Sequence, residues 1–436
     1  MPGRWRTAAS VVAVVTATAV AGAMAGAGAQ ESGPDREPVA GLPGDDVRLN
    51  EIQVVGTHNS YRVEPPEEEK RIMRSVDPAG AETLEYGHRL LGDQFAGQKV
   101  RQIELDIFAD PEGGKYANPL IRTFAGLPPY DQPAMDEPGM KVLHIQDIDY
   151  HTTCLTLVAC LQAVKAWSDA NAGHLPLAIL IEAKDDPILP ESGIEFVEPV
   201  PFDTAQYDAV DAEIRSVFSE GELLTPDDVR GDAATLEEAV LTDGWPTLGE
   251  SRDQVVFFMD QGGTDREAYL AGHPNLEGRV MFTNAEPGQP DAAFVKVNDP
   301  LGAGGERIPQ LVVEGYLVRS RADEPTFQAR SGDTTMRDAA LASGAQFVST
   351  DYPVPGLTER FGTDYFVEIP GGTVARCNPV NAPPGCVDSE LEHIPVVPLD
   401  PPAPPAGAPP GSSGGSAGIP AARPAQPVTA QPRFTG

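Results

Sequence analysis

Positive charge is in short supply: 31 Lys and Arg stand against 65 Asp and Glu, a formal net charge of −34 over 436 residues. At that balance no basic patch offsets phosphate repulsion, which excludes a general nucleic-acid binder and disfavours tight adsorption to anionic membranes. Cysteine is scarce as well. Cys154, Cys160, Cys377 and Cys386 lack the paired C-x2-C spacing of a zinc ribbon. In an exported chain they read as disulfides, and the sequential connectivity closes two small loops, 154–160 and 377–386; a four-thiolate zinc site is the alternative. Internal repeats are absent. So is any apolar run after the first 29 residues long enough to span a bilayer.

What is present begins with a basic start, Met1-Pro2-Gly3-Arg4-Trp5-Arg6, an apolar run from Ala8 to Ala25, and Ala27-Gly28-Ala29. That is the layout of a secretory signal peptide, cleaved after Ala29, so residues 1–29 are expected to be lost and the mature chain exported. Residues 30–48 form a polar, Pro/Gly-rich leader. Residues 49–394 hold the folded domain, with 377–395 as a small disulfide-pinned extension. From Pro395 to Gly436 the chain is mostly Pro, Ala, Gly and Ser, too poor in apolar surface to offset its ordering entropy; a disordered tail, residues 395–436, is expected.

Within the domain, short continuous apolar runs recur at Ile52–Thr57, Val100–Phe108, Val142–Ile145, Leu177–Ile181, Val255–Met259, Val280–Phe282, Leu311–Val318 and Gln346–Ser349. Continuous rather than alternating runs suit strands of a parallel sheet buried on both faces. Eight of them alternating with helices predict an α/β fold, a (β/α)8 TIM-type barrel in a single catalytic domain, with a doubly wound sheet as the alternative. Leu157, Leu161, Val164 and Trp167, and then Tyr207, Val210, Ile214 and Val217, fall at helical spacing. The 187–252 connection is long enough to hold extra helices or a lid.

Barrels of this class carry their reactive groups at the C-terminal ends of strands. Read that way, the strand ends are His58-Asn59, Glu104 with Asp106, His144, Glu182 with Lys184, Asp260, Asn284, Arg319 and Asp351, all polar. Alternation puts Glu104 and Asp106 on one face of their strand. Asn59, Glu104, Asp106 and Glu182 are hard oxygen donors of the kind Ca2+ takes six to eight of. Salt bridges to Arg101 or Lys184 are the structural alternative for these acids. His58 and His144 can exchange protons near neutral pH. Lys184, Arg319 and Arg321 can hold phosphate, or pair with neighbouring acids. Asp147, Asp149 and His151 read as local capping.

Gly56-Thr57-His58-Asn59-Ser60-Tyr61, then Ile103-Glu104-Leu105-Asp106, then Leu143-His144-Ile145-Gln146-Asp147-Ile148-Asp149-Tyr150, resembles the Ca2+-dependent phosphoinositide-specific phospholipase C family in its secreted bacterial form, from about Leu49 to Tyr352. The resemblance implies a Ca2+ cofactor on Asn59, Glu104, Asp106 and Glu182, and a phosphoinositide lipid as substrate. It implies Glu104 or Asp106 as general base, His144 as acid for the leaving glycerol oxygen, and His58 on the phosphoryl oxygens. Lys184 and Arg319 are the substrate-binding candidates. The enzyme is expected to be a monomer making transient membrane-surface contact, with the Phe124–Met140 loop as one possible point of contact. Two rivals stay open: another phosphodiesterase on the same barrel, for glycerophosphodiester or sphingolipid substrates, and a secreted lipid- or inositol-binding protein without turnover. Against the first, His58-Asn59-Ser60 stands where a glycerophosphodiesterase relative would carry His-Arg-Gly.

Overall fold

The run Ile52-Gln53-Val54-Val55-Gly56-Thr57 forms the first strand, and every residue in it is buried. The structure is a computed structural model and describes residues 41–188 and 194–399. The expected signal peptide, the leader up to residue 40 and the tail from residue 400 lie outside the described residues. Eleven strands occur among those described: β1 Ile52–Thr57, β2 Gln102–Phe108, β3 Lys141–Val142, β4 Leu177–Ala183, β5 Leu223–Leu224, β6 Val255–Met259, β7 Met281–Phe282, β8 Phe294–Lys296, β9 Leu317–Arg321, β10 Phe347–Thr350 and β11 Ala375–Cys377.

Eight of these strands close a ring in which every pairing is parallel: β1–β2–β4–β6–β7–β8–β9–β10 and back to β1. The β7–β8 contact is one bridge, Asn284 to Phe294, supported by Ala285 N–H on the Phe294 carbonyl at 3.1 Å and Lys296 N–H on Asn284 Oδ1 at 3.0 Å. No helix separates β7 from β8, whereas the other consecutive barrel strands are joined through at least one helix. The (β/α)8 expectation holds in its strands, therefore, with one crossover reduced to a loop. Three strands lie outside the ring: β3 and β11 pair antiparallel with β2 and β1, and β5 runs beside β6.

Two of the eight sequence-derived strands need correction. Val142–Ile145 is not a barrel strand. Only Lys141–Val142 is extended, and a turn through Ile145–Asp149, with Asp147 in the left-handed region at φ +65°, ends it. The eighth ring strand is instead β8, whose three residues, Phe294-Val295-Lys296, are too few to stand out as a strand. Leu311–Val318 is half helix: Leu311–Glu314 completes Gly302–Glu314, and Gly315 at φ +111° caps it before β9 begins. The long 187–252 connection holds helices at Thr204–Val217, Pro226–Arg230, Leu236–Thr242 and Leu248–Ser251.

Inside the barrel, Phe258 lies against Phe282, Phe294 and Phe347, with ring centroids 5.7, 4.6 and 5.4 Å apart. Four strands thus contribute to one aromatic plug, and burying four such rings is among the larger apolar contributions to stability. The end of the leader also packs: Val47 is buried and Asp45 pairs with Arg252 at 2.7 Å. Both local disulfides form, Cys154–Cys160 and Cys377–Cys386, as the sequential pairing requires. Among the described residues no helix is long and apolar enough to cross a membrane.

Candidate active site

Period-two alternation points Glu104 and Asp106 the same way from β2, and the six-residue register between β2 and β4 makes Asp106 the direct neighbour of Glu182. Like charges side by side on adjacent strands repel. Glu104, Asp106 and Glu182 each offer an oxygen within 4.8 Å of the others. Asp106 is fully buried, and neither of its oxygens accepts a hydrogen bond. Burial, reinforced by Glu182, pushes its pKa well above the carboxylate range. Burial also pushes Glu104 up to about 7; Arg319 opposes this while Asp260 and Glu182 add to it. For Glu182 burial acts upward but Lys184 outweighs it, leaving the group at about 2. Acids crowded in this way favour a proton or a cation among them.

A fourth oxygen comes from the turn after β1. Gly56 permits the approach of β2, since a Cβ there would fall 1.9 Å from Gln102 Oε1. Asn59 then takes a left-handed backbone, φ +46°, which asparagine tolerates better than most residues. Ser60 ties the turn to β2, its N–H donating to the Glu104 carbonyl at 3.0 Å and its Oγ accepting from Glu104 N–H at 2.8 Å. Asn59 Nδ2 donates to the Tyr86 hydroxyl at 2.9 Å, while its Oδ1 is buried without a partner. Three carboxylates and one unmatched amide oxygen fit a hard divalent cation such as Ca2+.

His58, one residue earlier, is 3% exposed and sets Nδ1 2.9 Å from Asp351 Oδ1 and Nε2 3.8 Å from Glu104 Oε1. Burial, then Arg321 and Arg319, hold its pKa well below the usual value. The arginine Arg321 stands 3.3 Å from the same ring.

His144 reaches the site from the loop after β3, not from a strand end. Its Nδ1 lies 2.8 Å from Asp149 Oδ2, an oxygen that also accepts from Arg62 Nε at 2.6 Å. Burial lowers the His144 pKa, against the pull of Asp149. Asp149 is therefore an orienting partner rather than a cap. Asp147 does not cap the helix that follows, which Thr156 caps; it takes Leu120 N–H at 3.0 Å at the start of an earlier helix, and His151 pairs with buried Glu69 at 2.6 Å, away from these groups.

The cations are all engaged. Lys184 Nζ lies 3.0 Å from Glu182 and 3.7 Å from Asp106; Arg319 bonds Glu104 and Asn298; Lys296 pairs with Asp260. Arg101 lies elsewhere, held by Glu392 at 2.8 Å. The sequence reading missed Arg62, Tyr86 and Asp149 as participants. Arg62 is fully buried, its guanidinium 4.4 Å over the Tyr86 ring, and a buried arginine carries no local sequence signal.

Residues 47–379 match the family model for phosphoinositide phospholipase C, Ca2+-dependent. Among solved structures the chain is similar to a calcium-dependent phosphoinositol-specific phospholipase C from the Gram-negative bacterium Pseudomonas sp., in a myo-inositol complex, at 16% identity and TM-score 0.45, covering 77% of this chain and 96% of that one. It is also similar to a Ca2+-dependent phosphatidylinositol-specific phospholipase C from Streptomyces antibioticus, at 18% identity and TM-score 0.44, covering 72% and 97%. No curated protein matches.

Proposed function

The chain belongs to the Ca2+-dependent phosphoinositide phospholipase C family, whose members are phosphoric diester hydrolases, and we propose that it is an exported monomeric enzyme that cleaves phosphatidylinositol-type lipids to diacylglycerol and an inositol phosphate, first as the 1,2-cyclic form. The observation that carries this reading is the forced adjacency of Asp106 and Glu182, with Glu104 close to both; the Asn59 Oδ1, buried and unmatched, is the fourth candidate oxygen. These four residues would hold Ca2+, which when bound supplies a Lewis acid for the inositol 2-hydroxyl and a phosphoryl oxygen.

The remaining chemistry belongs to the side chains. Glu104 can accept the proton of the attacking hydroxyl. His144 donates to the leaving glycerol oxygen, and Asp149 keeps the ring oriented by taking Nδ1–H and favours its charged form. His58 faces the phosphoryl oxygens, with Arg321 beside its ring to share their charge. Arg319 fixes the Glu104 carboxylate at the edge of this group.

Export is supported by the two disulfides. For membrane contact, Phe124 is 49% exposed at the start of the predicted loop, while Tyr130 further along packs on Tyr150. The test is turnover of a panel of phosphatidylinositol, its phosphorylated forms, glycerophosphoinositol and sphingomyelin, with Ca2+ and with chelator. Ca2+-dependent release of diacylglycerol from phosphatidylinositol is expected, abolished by Asp106→Asn together with Ca2+ binding. Cleavage that persists in chelator, or that is confined to the glycerophosphodiester or sphingomyelin, would sink the reading.

A further inference from the structure

Four cations surround the acids, and three have partners outside the proposed ligand set. Arg319 is held by Glu104, Asn298 and Ser349, Arg321 by Asp351 and the His58 ring, and Lys296 by Asp260. Lys184 differs. Its backbone is fixed, N–H donating to the Ile107 carbonyl at 2.8 Å, but its ammonium touches only the acids, Glu182 at 3.0 Å and Asp106 at 3.7 Å. Those are the two carboxylates that strand register forces together. Asp106 is offered no other cation within ion-pair distance. The lysine stem is long and flexible, and at 16% exposure it is not sealed in.

We propose that Lys184 is a tethered counter-cation: its ammonium neutralises Asp106 and Glu182 in the metal-free protein, must swing away for Ca2+ to bind, and so sets the Ca2+ concentration at which the site fills. The proposal rests on the acids being the metal seat. Ca2+ closes on carboxylate oxygens at about 2.3–2.6 Å, and an ammonium on those same oxygens cannot share them. Two cations within a few ångströms in a buried, poorly screened site repel strongly. The lysine thus protects the repelling acids while the site is empty, at the expense of Ca2+ affinity. A lysine serving only to hold substrate phosphate would leave metal affinity alone, and one serving only as a structural pin would weaken it when removed.

The test uses the chelator-stripped mature protein and calorimetric titration with Ca2+ alone, without substrate. Lys184→Met and Lys184→Gln should each bind Ca2+ at least tenfold more tightly than wild type. Both should melt lower in chelator and recover the wild-type melting temperature at saturating Ca2+. Lys184→Arg, which keeps the charge, should stay within threefold of wild type. Should Lys184→Met fail to fold, Lys184→Gln is read on the same criteria. Unchanged or weaker Ca2+ binding in the neutral variants overturns the proposal. Asp106→Asn separates the two levels. If wild type binds no Ca2+, or Asp106→Asn binds as well as wild type, the acid seat itself is wrong and the lysine's role falls with it. If Asp106→Asn loses Ca2+ while the neutral Lys184 variants do not tighten, only the lysine's role is refuted.

Discussion

His58 and Asp351, 293 residues apart, meet at 2.9 Å through Nδ1 and Oδ1, the carboxylate on the turn after β10 and the imidazole on the turn after β1. The parallel β1–β10 pairing, which aligns Thr57 with Thr350, makes the contact a consequence of strand register. The carboxylate decides which ring nitrogen faces the site. Asp351→Asn should lower kcat on the order of 100-fold, the scale of a misdirected acid–base group, with Ca2+ affinity unchanged. A variant with normal kcat would show that His58 needs no such partner.

His144 should behave differently from His58. His144→Ala is expected to keep Ca2+ binding and lose on the order of 10^2 to 10^4 in turnover. A nitrophenyl inositol phosphate, whose leaving group needs no protonation, should recover much of that loss. His58→Ala should not be rescued in this way. The comparison is a ratio of kcat values on two substrates, so it does not depend on how much of either variant is folded.

The Arg62–Asp149–His144 chain predicts a particular pH dependence of stability. Burial alone would raise the Asp149 pKa, but Arg62 and then His144 outweigh it and hold the group at about 2, below its ordinary 3.8. A folded-state value below the unfolded one stabilises the fold wherever the group is ionised in both states, and that gain disappears as the pH falls through the folded value. Asp149→Asn should therefore cost on the order of 2 kcal/mol near neutral pH, and the gap to wild type should close between about pH 4 and pH 2. Urea unfolding at several pH values checks it. A gap that stays constant would mean the cost is steric.

Tyr86→Phe removes the hydroxyl that accepts from Asn59 Nδ2 and keeps the ring on which Arg62 lies. The Asn59 amide then loses the one hydrogen bond that fixes its orientation. Ca2+ affinity should fall several-fold, with a melting temperature in chelator close to wild type. If affinity is unaffected, the amide oxygen is not among the ligands.

The parts of the fold and site that could be read from sequence share a physical origin. β4 is long enough for burial on both faces to leave an unbroken apolar run, Leu177–Ile181, and alternation within β2 singled out Glu104 and Asp106. β8 offers only three strand residues, one of them Lys296, and its pairing with β9 over all three needs little local preference. His144 was found for the wrong reason: its motif was recognisable, but the turn at Ile145–Asp149 carries it, not a strand. Arg62 and Asp149 are 87 residues apart, and a contact of that kind exists only after folding. Asp351 stood among the polar strand ends without a role until its partner across the ring was seen.

The ring is built unevenly around its circumference. Six consecutive residue pairs join β2 to β4 and five join β4 to β6, while one bridge joins β7 to β8 across a stretch without a helix. The spacing of Asp106 and Glu182 is set by the most extensive of these pairings. Residues 285–293 lie at one of the two joints made by a single pair, Gly56 with Gln102 between β1 and β2 being the other, so chain inserted there, or new termini opened there, would change the perimeter of the barrel while leaving the distance between the two carboxylates to the β2–β4 ladder.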